Sequence, residues 1–224
     1  MKKESQPERK NRTRKIVSRL RKLYPQPQTA LTHEDPLQLL IGTILSAQCT
    51  DARVNMVTPG LFARFKTAHD FANAPAIELE GIIHSTGFYK NKAKNIIGCC
   101  KEIVERHDGN VPATMKELLE LPGVGRKTAN CVLGGAYGIN SGVVVDTHVE
   151  RLSHRLGLTK QKTAEKIEQD LMNIIPERDW YDFSNMVILH GRQVCNARKP
   201  NCPDCALNSL CPSASKFTNM FRRN

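Results

Sequence analysis

Residues Leu118 to Asn130 read Leu-Leu-Glu-Leu-Pro-Gly-Val-Gly-Arg-Lys-Thr-Ala-Asn, and few backbones can accommodate them. Met115 to Leu121 is a short run of helix formers. Pro122 ends it, because proline lacks an N–H and disfavours a helical residue before it. Gly123 and Gly125 can take backbone angles closed to other residues. A second helix then opens near Arg126 and runs towards Tyr137, giving helix, tight hairpin, helix. Two glycines leave the hairpin N–H groups bare. With the positive end of the second helix they form a site for an anion such as a phosphate. Lys127 falls in the first turn of that helix, the wrong end for a cation on dipole grounds. A lysine there is either solvated or held with a lowered pKa, and in the second case it is a nucleophile for part of the time. Short glycine motifs recur by chance, and taken alone this stretch is better explained by an exposed lysine on a helical turn. The rest of the chain has to decide.

Charge narrows the choice of partner. The 224 residues carry a net charge of +11, which points to a polyanion, nucleic acid first. Residues 1–22 hold ten Lys or Arg against Glu4 and Glu8, and so contribute +8 of that charge. Such a segment is either a solvated tail and charged helix face or a direct DNA contact. No apolar run approaches the roughly 20 residues of a membrane span, and the N-terminus has no apolar signal core. The expectation is a soluble monomer, cytoplasmic and nucleoid-associated, with no membrane partner. Aromatics are only 5% of the residues, so the core must be largely aliphatic.

Helical periodicity dominates the chain. Residues 1–8 look disordered, and Glu8 to Tyr24 fits a helix with Ile16, Val17, Leu20 and Leu23 on one face. His33-Glu-Asp35 before Pro36 is a helix start. Leu37 to Ser46 is apolar almost all round, which suits a buried helix. Asp51 can cap a following helix, which Pro59-Gly60 interrupts. Ala76 to His84 and Lys90 to His107 are further helices, the second strongly amphipathic. Val143-Val-Val145 reads as an extended buried connection. Thr147-His-Val-Glu150 fits a capping box opening the next helix, and Thr163 to Ile174 and Trp180 to Val194 follow. About ten helices and no convincing strand pair predict an all-α fold.

Eight cysteines without a secretion signal argue for metal or free thiols. Cys49, Cys99, Cys100 and Cys131 read as small core residues. Cys195, Cys202, Cys205 and Cys211 are different, because their spacing, C-x6-C-x2-C-x5-C, calls for a metal site. Zinc fits four thiolates, and so does a cubane iron–sulfur cluster. Structural zinc sites usually pair two Cys-x2-Cys knuckles; only Cys202 and Cys205 form one here, which favours iron–sulfur. Basic residues surround the segment: Arg192, Arg198, Lys199, Lys216, Arg222 and Arg223. Arg198 and Lys199, between the first two cysteines, can also reach a phosphate.

Taken in order, these features resemble the endonuclease III family, the bifunctional base-excision glycosylases of the helix-hairpin-helix superfamily. Residues Leu39 to Asp51 resemble that family's buried helix and DNA-probing loop. Leu121 to Ala129 resembles its hairpin and catalytic lysine, Val145 to His148 its catalytic aspartate segment, and the four cysteines its 4Fe–4S ligands. The resemblance implies a two-lobed fold: a helical barrel over 29–139, and a cluster domain built from 1–28 and 140–224. It implies excision of oxidised pyrimidines from damaged double-stranded DNA, followed by strand nicking. Lys127 would attack the sugar and Asp146 would assist. Gly123 and Gly125 would grip a phosphate, and Gln48 and Phe88 would probe the base stack. Between Lys127 and Asp146 the chain runs one residue longer than the family pattern.

Two other classes fit parts of this pattern. Adenine- and thymine-mismatch glycosylases resemble the family in fold but lack a lysine at position 127. A non-catalytic DNA-binding module with structural zinc would need neither Lys127 nor Asp146.

Overall fold

The computed structural model describes residues 4–221, and among them it contains helices and no strand. Lys2, Lys3, Arg222 and Arg223 lie outside the described residues. The chain divides into two compact units, one formed by residues 29–141 and the other by 1–28 together with 142–224.

In chain order, α1 spans Gln6–Leu23. Helices α2 (Pro36–Leu45), α3 (Asp51–Arg64), α4 (Ala68–Ala72), α5 (Ala76–Ile83), α6 (Tyr89–Arg106), α7 (Met115–Glu120) and α8 (Arg126–Tyr137) build the 29–141 unit. The other unit adds α9 (Thr147–Arg155), α10 (Ala164–Met172), α11 (Trp180–Gln193) and α12 (Ala214–Phe221) to α1.

In the 29–141 unit the core forms around α2. Asp35 caps it, with its side chain accepting from Gln38 N, and Pro36 supplies a first residue whose missing N–H costs nothing. Every residue from Leu39 to Leu45 is buried. A helix buried on all sides needs neighbours on all sides, and α3, α6 and α8 pack around it. Helix α6 contributes Ile96, Cys99, Cys100 and Ile103 to the same core. Burial holds the Cys99 thiol up at about 12, so these two adjacent cysteines serve as packing groups. Cys49 and Cys131 are partly buried against the same core.

Helix α3 corrects two expectations. Pro59 does not interrupt it, and the helix runs through to Arg64. Pro59 and Gly60 lie on the exposed face, while Val54, Thr58 and Leu61 are buried. A backbone carbonyl that loses its partner at a proline can be hydrated on that face, so burial of the opposite face carries the helix on. Thr50, not Asp51, caps this helix. The threonine hydroxyl accepts from Arg53 N, and Asp51 becomes the first helical residue, where a carboxylate suits the dipole.

The other unit is held by α1. Contrary to expectation, residues 4–8 are ordered, and α1 begins at Gln6 because Ser5 and Glu8 form a reciprocal capping box. Ile16, Val17 and Leu20 are buried with Val149 and Leu152 of α9, Ile167 and Leu171 of α10, and Phe183, Met186 and Val187 of α11. Each such side chain contributes about 1.5–3 kcal/mol on burial. The basic face of α1 is neither a solvated stripe nor wholly open to DNA. Arg12 donates to the carbonyls of Leu156, Gly157 and Leu210. Arg19 donates to Ala206 O and Ser209 Oγ, and Arg21 pairs with Asp179 and Asp182. Val143 to Val145 is extended and buried as expected, with Val144 N donating to Ser184 Oγ.

Candidate active site

The hairpin between α7 and α8 gives its two glycines different work. Gly123 has φ +77°, a conformation that side chains disfavour, whereas Gly125 sits at φ −96° in ordinary extended backbone. The expectation of special angles therefore holds for Gly123 alone. A Cβ on Gly123 would stand 2.8 Å from Asn95 Cβ of α6; a Cβ on Gly125 would meet nothing within 4 Å. Gly125 is the N-cap of α8 and supplies no side-chain capping bond. Seven helices among the described residues, by contrast, are capped by Ser5, Asp35, Thr50, Thr67, Thr114, Asp146 and Thr163. Lys127 is exposed in the uncapped first turn.

Two further segments of the same unit carry unusual backbone. Among the described residues only Gln48, Phe88 and Asp108 combine a side chain with positive φ, at 53°, 49° and 50°. Each such residue costs on the order of 1–2 kcal/mol. Gln48 follows the C-terminus of α2 and is exposed. Phe88 precedes α6 and has 67% of its surface exposed. An apolar ring held in solvent by a disfavoured backbone is not a packing feature. Gln48, Phe88, Asn91, Lys92, Asn95, Gly123 and Thr128 line one open recess. Hairpin and both left-handed residues thus meet at a single hollow.

In the other unit, Asp146 rather than Thr147 caps α9; N3 is then Val149, whose apolar side chain cannot reciprocate, so the expected capping box does not form. Asp146 Oδ1 accepts from His148 N and Val149 N, both at 2.8 Å, which leaves Oδ2 for another partner.

Cys195, Cys202, Cys205 and Cys211 line one cavity. Burial first, and then the neighbouring cysteines, push the thiols of Cys202, Cys205 and Cys211 up. Thiols whose ionisation is opposed in this way need a cationic group between them to become ligands. Among the described residues no group of three or more Cys, His, Asp or Glu could hold a single metal ion. Sequence reasoning missed three residues around this cavity. His190 is buried, and burial lowers its pKa to about 4, so the ring is neutral. Its Nδ1 lies 3.3 Å from the Tyr24 hydroxyl and its Nε2 lies 3.3 Å from Cys205 Sγ. When Cys205 is a thiolate it can only accept, and Nε2 is then the protonated nitrogen. Arg155 donates to Asn196 O and Ala197 O and reaches Cys195 Sγ at 3.3 Å; Arg151, one turn earlier, donates to Gly191 O and Cys195 O. The two arginines, four residues apart on α9, tie down the loop that carries the exposed Arg198 and Lys199. That spacing was the available signal.

Residues 41–177 match the model of the HhH-GPD superfamily base excision DNA repair proteins. Endonuclease III of Synechocystis sp. is 58% identical over 206 residues, covering 92% of this chain and 94% of that protein. The chain belongs to the endonuclease III family. Endonuclease III of Escherichia coli K12 is 41% identical over 208 residues, covering 90% of this chain and 95% of that one. A solved structure of a trapped covalent intermediate between an endonuclease III and DNA superposes with a TM-score of 0.88 at 43% identity, covering 93% of this chain and 98% of that chain. The all-helical architecture is accordingly that of the endonuclease III fold.

Proposed function

We propose that this endonuclease III family member is a bifunctional DNA glycosylase and abasic-site lyase that removes oxidised pyrimidines from duplex DNA. The observation that carries the reading is the exposed Lys127 in the uncapped first turn behind the Gly123–Gly125 hairpin.

A base inside a duplex cannot be reached, so the damaged nucleotide is extruded first. The Val124 N–H of the hairpin already donates to Leu121 O; the N–H groups beside it donate to a backbone phosphate. Gln48 and Phe88 enter the stack beside the vacated position. The neutral amine of Lys127 attacks C1′, a C–N bond forms, and the glycosidic bond breaks with its electron pair leaving on the base, which takes up a proton. The nitrogen then loses a proton and the sugar ring opens: the C1′–O4′ bond breaks, O4′ takes up a proton, and the iminium so formed at C1′ acidifies the C2′ hydrogen. Loss of that proton expels the 3′ phosphate and nicks the strand 3′ to the lesion. The carboxylate of Asp146 stabilises the developing positive charge on the sugar and carries protons in these steps. Arg198 and Lys199 contact the DNA backbone.

Cys195, Cys202, Cys205 and Cys211 hold one 4Fe–4S cluster in this reading. The common cavity they line and a spacing with only one Cys-x2-Cys pair support it over zinc. When bound, the cluster supplies iron–sulfur bonds that fix the segment bearing Arg198 and Lys199, and Arg151, Arg155 and His190 support that segment from the protein side. No helix among the described residues is long and apolar enough to cross a membrane, and the reading places the protein as a monomer in the cytoplasm at the nucleoid, with every proposed site residue in one chain.

Borohydride trapping on a duplex with one abasic site tests the chemistry. Wild type is expected to give a covalent complex and Lys127→Ala none. Lys127→Gln should abolish nicking and keep duplex binding. Trapping by the alanine variant at the wild-type level removes Lys127 from the mechanism, and no complex with either protein turns the assignment to a monofunctional glycosylase.

A further inference from the structure

Lys92 is a lysine with 4% of its surface exposed, one turn into α6 from Tyr89. Lysine is almost never this buried without a paired charge. Here the ammonium is satisfied by backbone oxygens: Nζ donates to Leu45 O and to Thr86 O, each at 2.8 Å. Burial pushes its pKa down, with only Cys49 acting in the opposite sense. An apolar side chain would fill this space at lower desolvation cost. What an apolar side chain cannot do is donate to two carbonyls at once.

Those carbonyls belong to different segments. Leu45 is the last residue of α2, where the carbonyls have no helical partner and the dipole favours a cation. Thr86 closes the 3₁₀ turn at His84–Thr86. Gln48 follows Leu45 by three residues and Phe88 follows Thr86 by two. One buried ammonium therefore anchors the base of the two loops that carry the left-handed, solvent-exposed Gln48 and Phe88. Asn95, three residues on along α6, packs against Gly123 of the hairpin.

We infer that Lys92 is a positioning residue that sets the spacing between Gln48 and Phe88, so that the two side chains enter the base stack as one rigid wedge. The inference rests on the reading above that Gln48 and Phe88 enter DNA. Lys92 touches no reacting atom in it; it acts through the two loops.

The test compares nicking at an abasic site in duplex DNA with nicking at the same site in a single strand, where no stack has to be opened. The duplex-to-single-strand rate ratio cancels differences in folded fraction, so a merely destabilised variant leaves it unchanged. Lys92→Met, which fills the space without donors, is expected to lower the ratio about tenfold or more, since a displacement of about 1 Å at a positioned group costs up to about a hundredfold. Lys92→Arg, which keeps donors, should recover most of it. The Gln48→Ala/Phe88→Ala double variant is the reference for a lost wedge. A ratio unchanged in Lys92→Met but lowered in the double variant overturns the role of Lys92 and leaves the wedge standing. A ratio unchanged in both overturns the wedge and the inference with it. An arginine variant no better than methionine assigns Lys92 to packing and also overturns the inference.

Discussion

Gly123 of the hairpin and Asn95 of α6 are packed so closely that a single methyl group cannot be placed between them: a Cβ on Gly123 would stand 2.8 Å from Asn95 Cβ and 3.0 Å from its Cγ and Nδ2. Because Gly123 also has φ +77°, Gly123→Ala adds steric overlap to a disfavoured backbone. The variant should lose about 2–4 kcal/mol, the sum of a left-handed alanine and local overpacking. Urea unfolding of the full chain reads this as a lower midpoint, and duplex affinity should fall with it.

Gly125→Ala separates the two uses of glycine in this hairpin. Its φ of −96° suits alanine and the new methyl meets nothing within 4 Å. Stability should fall by about 1 kcal/mol or less, since alanine is a poorer N-cap than glycine. The methyl would nevertheless stand beside the uncapped first turn of α8, where a phosphate must approach the backbone. Duplex binding should weaken, measurable by fluorescence anisotropy with an abasic-site duplex. Unchanged affinity would remove Gly125 from the DNA contact.

How far the sequence anticipates these features depends on how local their causes are. Helix α2 is legible because its apolar run and its Asp35-Pro36 start lie within a dozen residues. The hairpin is legible because Pro122 and Gly123 act on the backbone where they stand. Capping is harder to place: Thr50 and Asp51, like Asp146 and Thr147, are adjacent residues that can both cap, and the backbone angles choose between them. The continuity of α3 through Pro59 depends on which face is buried, a tertiary fact. Arg12, Arg19 and Lys92 leave no mark of their roles, because their acceptors include backbone carbonyls, which every residue has. The acceptors of Arg12 lie at Leu156, Gly157 and Leu210, more than 140 positions away. For that reason a basic N-terminal segment reads as a tail or a DNA contact until the fold shows it anchoring a domain.

Cys202→Ser should give colourless protein with a lowered thermal midpoint, because Cys202 is one of four thiols around the cavity and a hydroxyl is a poor ligand for iron. Visible absorption and iron and sulfide analysis of wild type and variant provide the check. Colourless wild type containing one zinc per chain would replace the iron–sulfur assignment with a structural zinc site.

Arg12 links three carbonyls of its unit to Glu4, with Nε 2.7 Å from Glu4 Oε1. Arg12→Met should cost about 2–3 kcal/mol, since hydrogen bonds to a charged group contribute about 1.5–3 kcal/mol and their loss leaves carbonyls unpaired. The same contact sets a pH dependence. The hydrogen bond from Arg12 holds the Glu4 carboxyl below the usual glutamate range. A carboxylate with a depressed folded-state pKa stabilises the fold above its unfolded value, and that contribution is lost as pH falls through the folded one. Wild type should therefore lose stability on acidification through and below the ordinary glutamate range. Glu4→Gln should be slightly less stable near neutrality, show a flatter profile across that window, and converge with wild type at the acid end. Thermal midpoints measured from neutral to strongly acid pH give the comparison, and parallel profiles for the two proteins would show that Glu4 contributes nothing through Arg12.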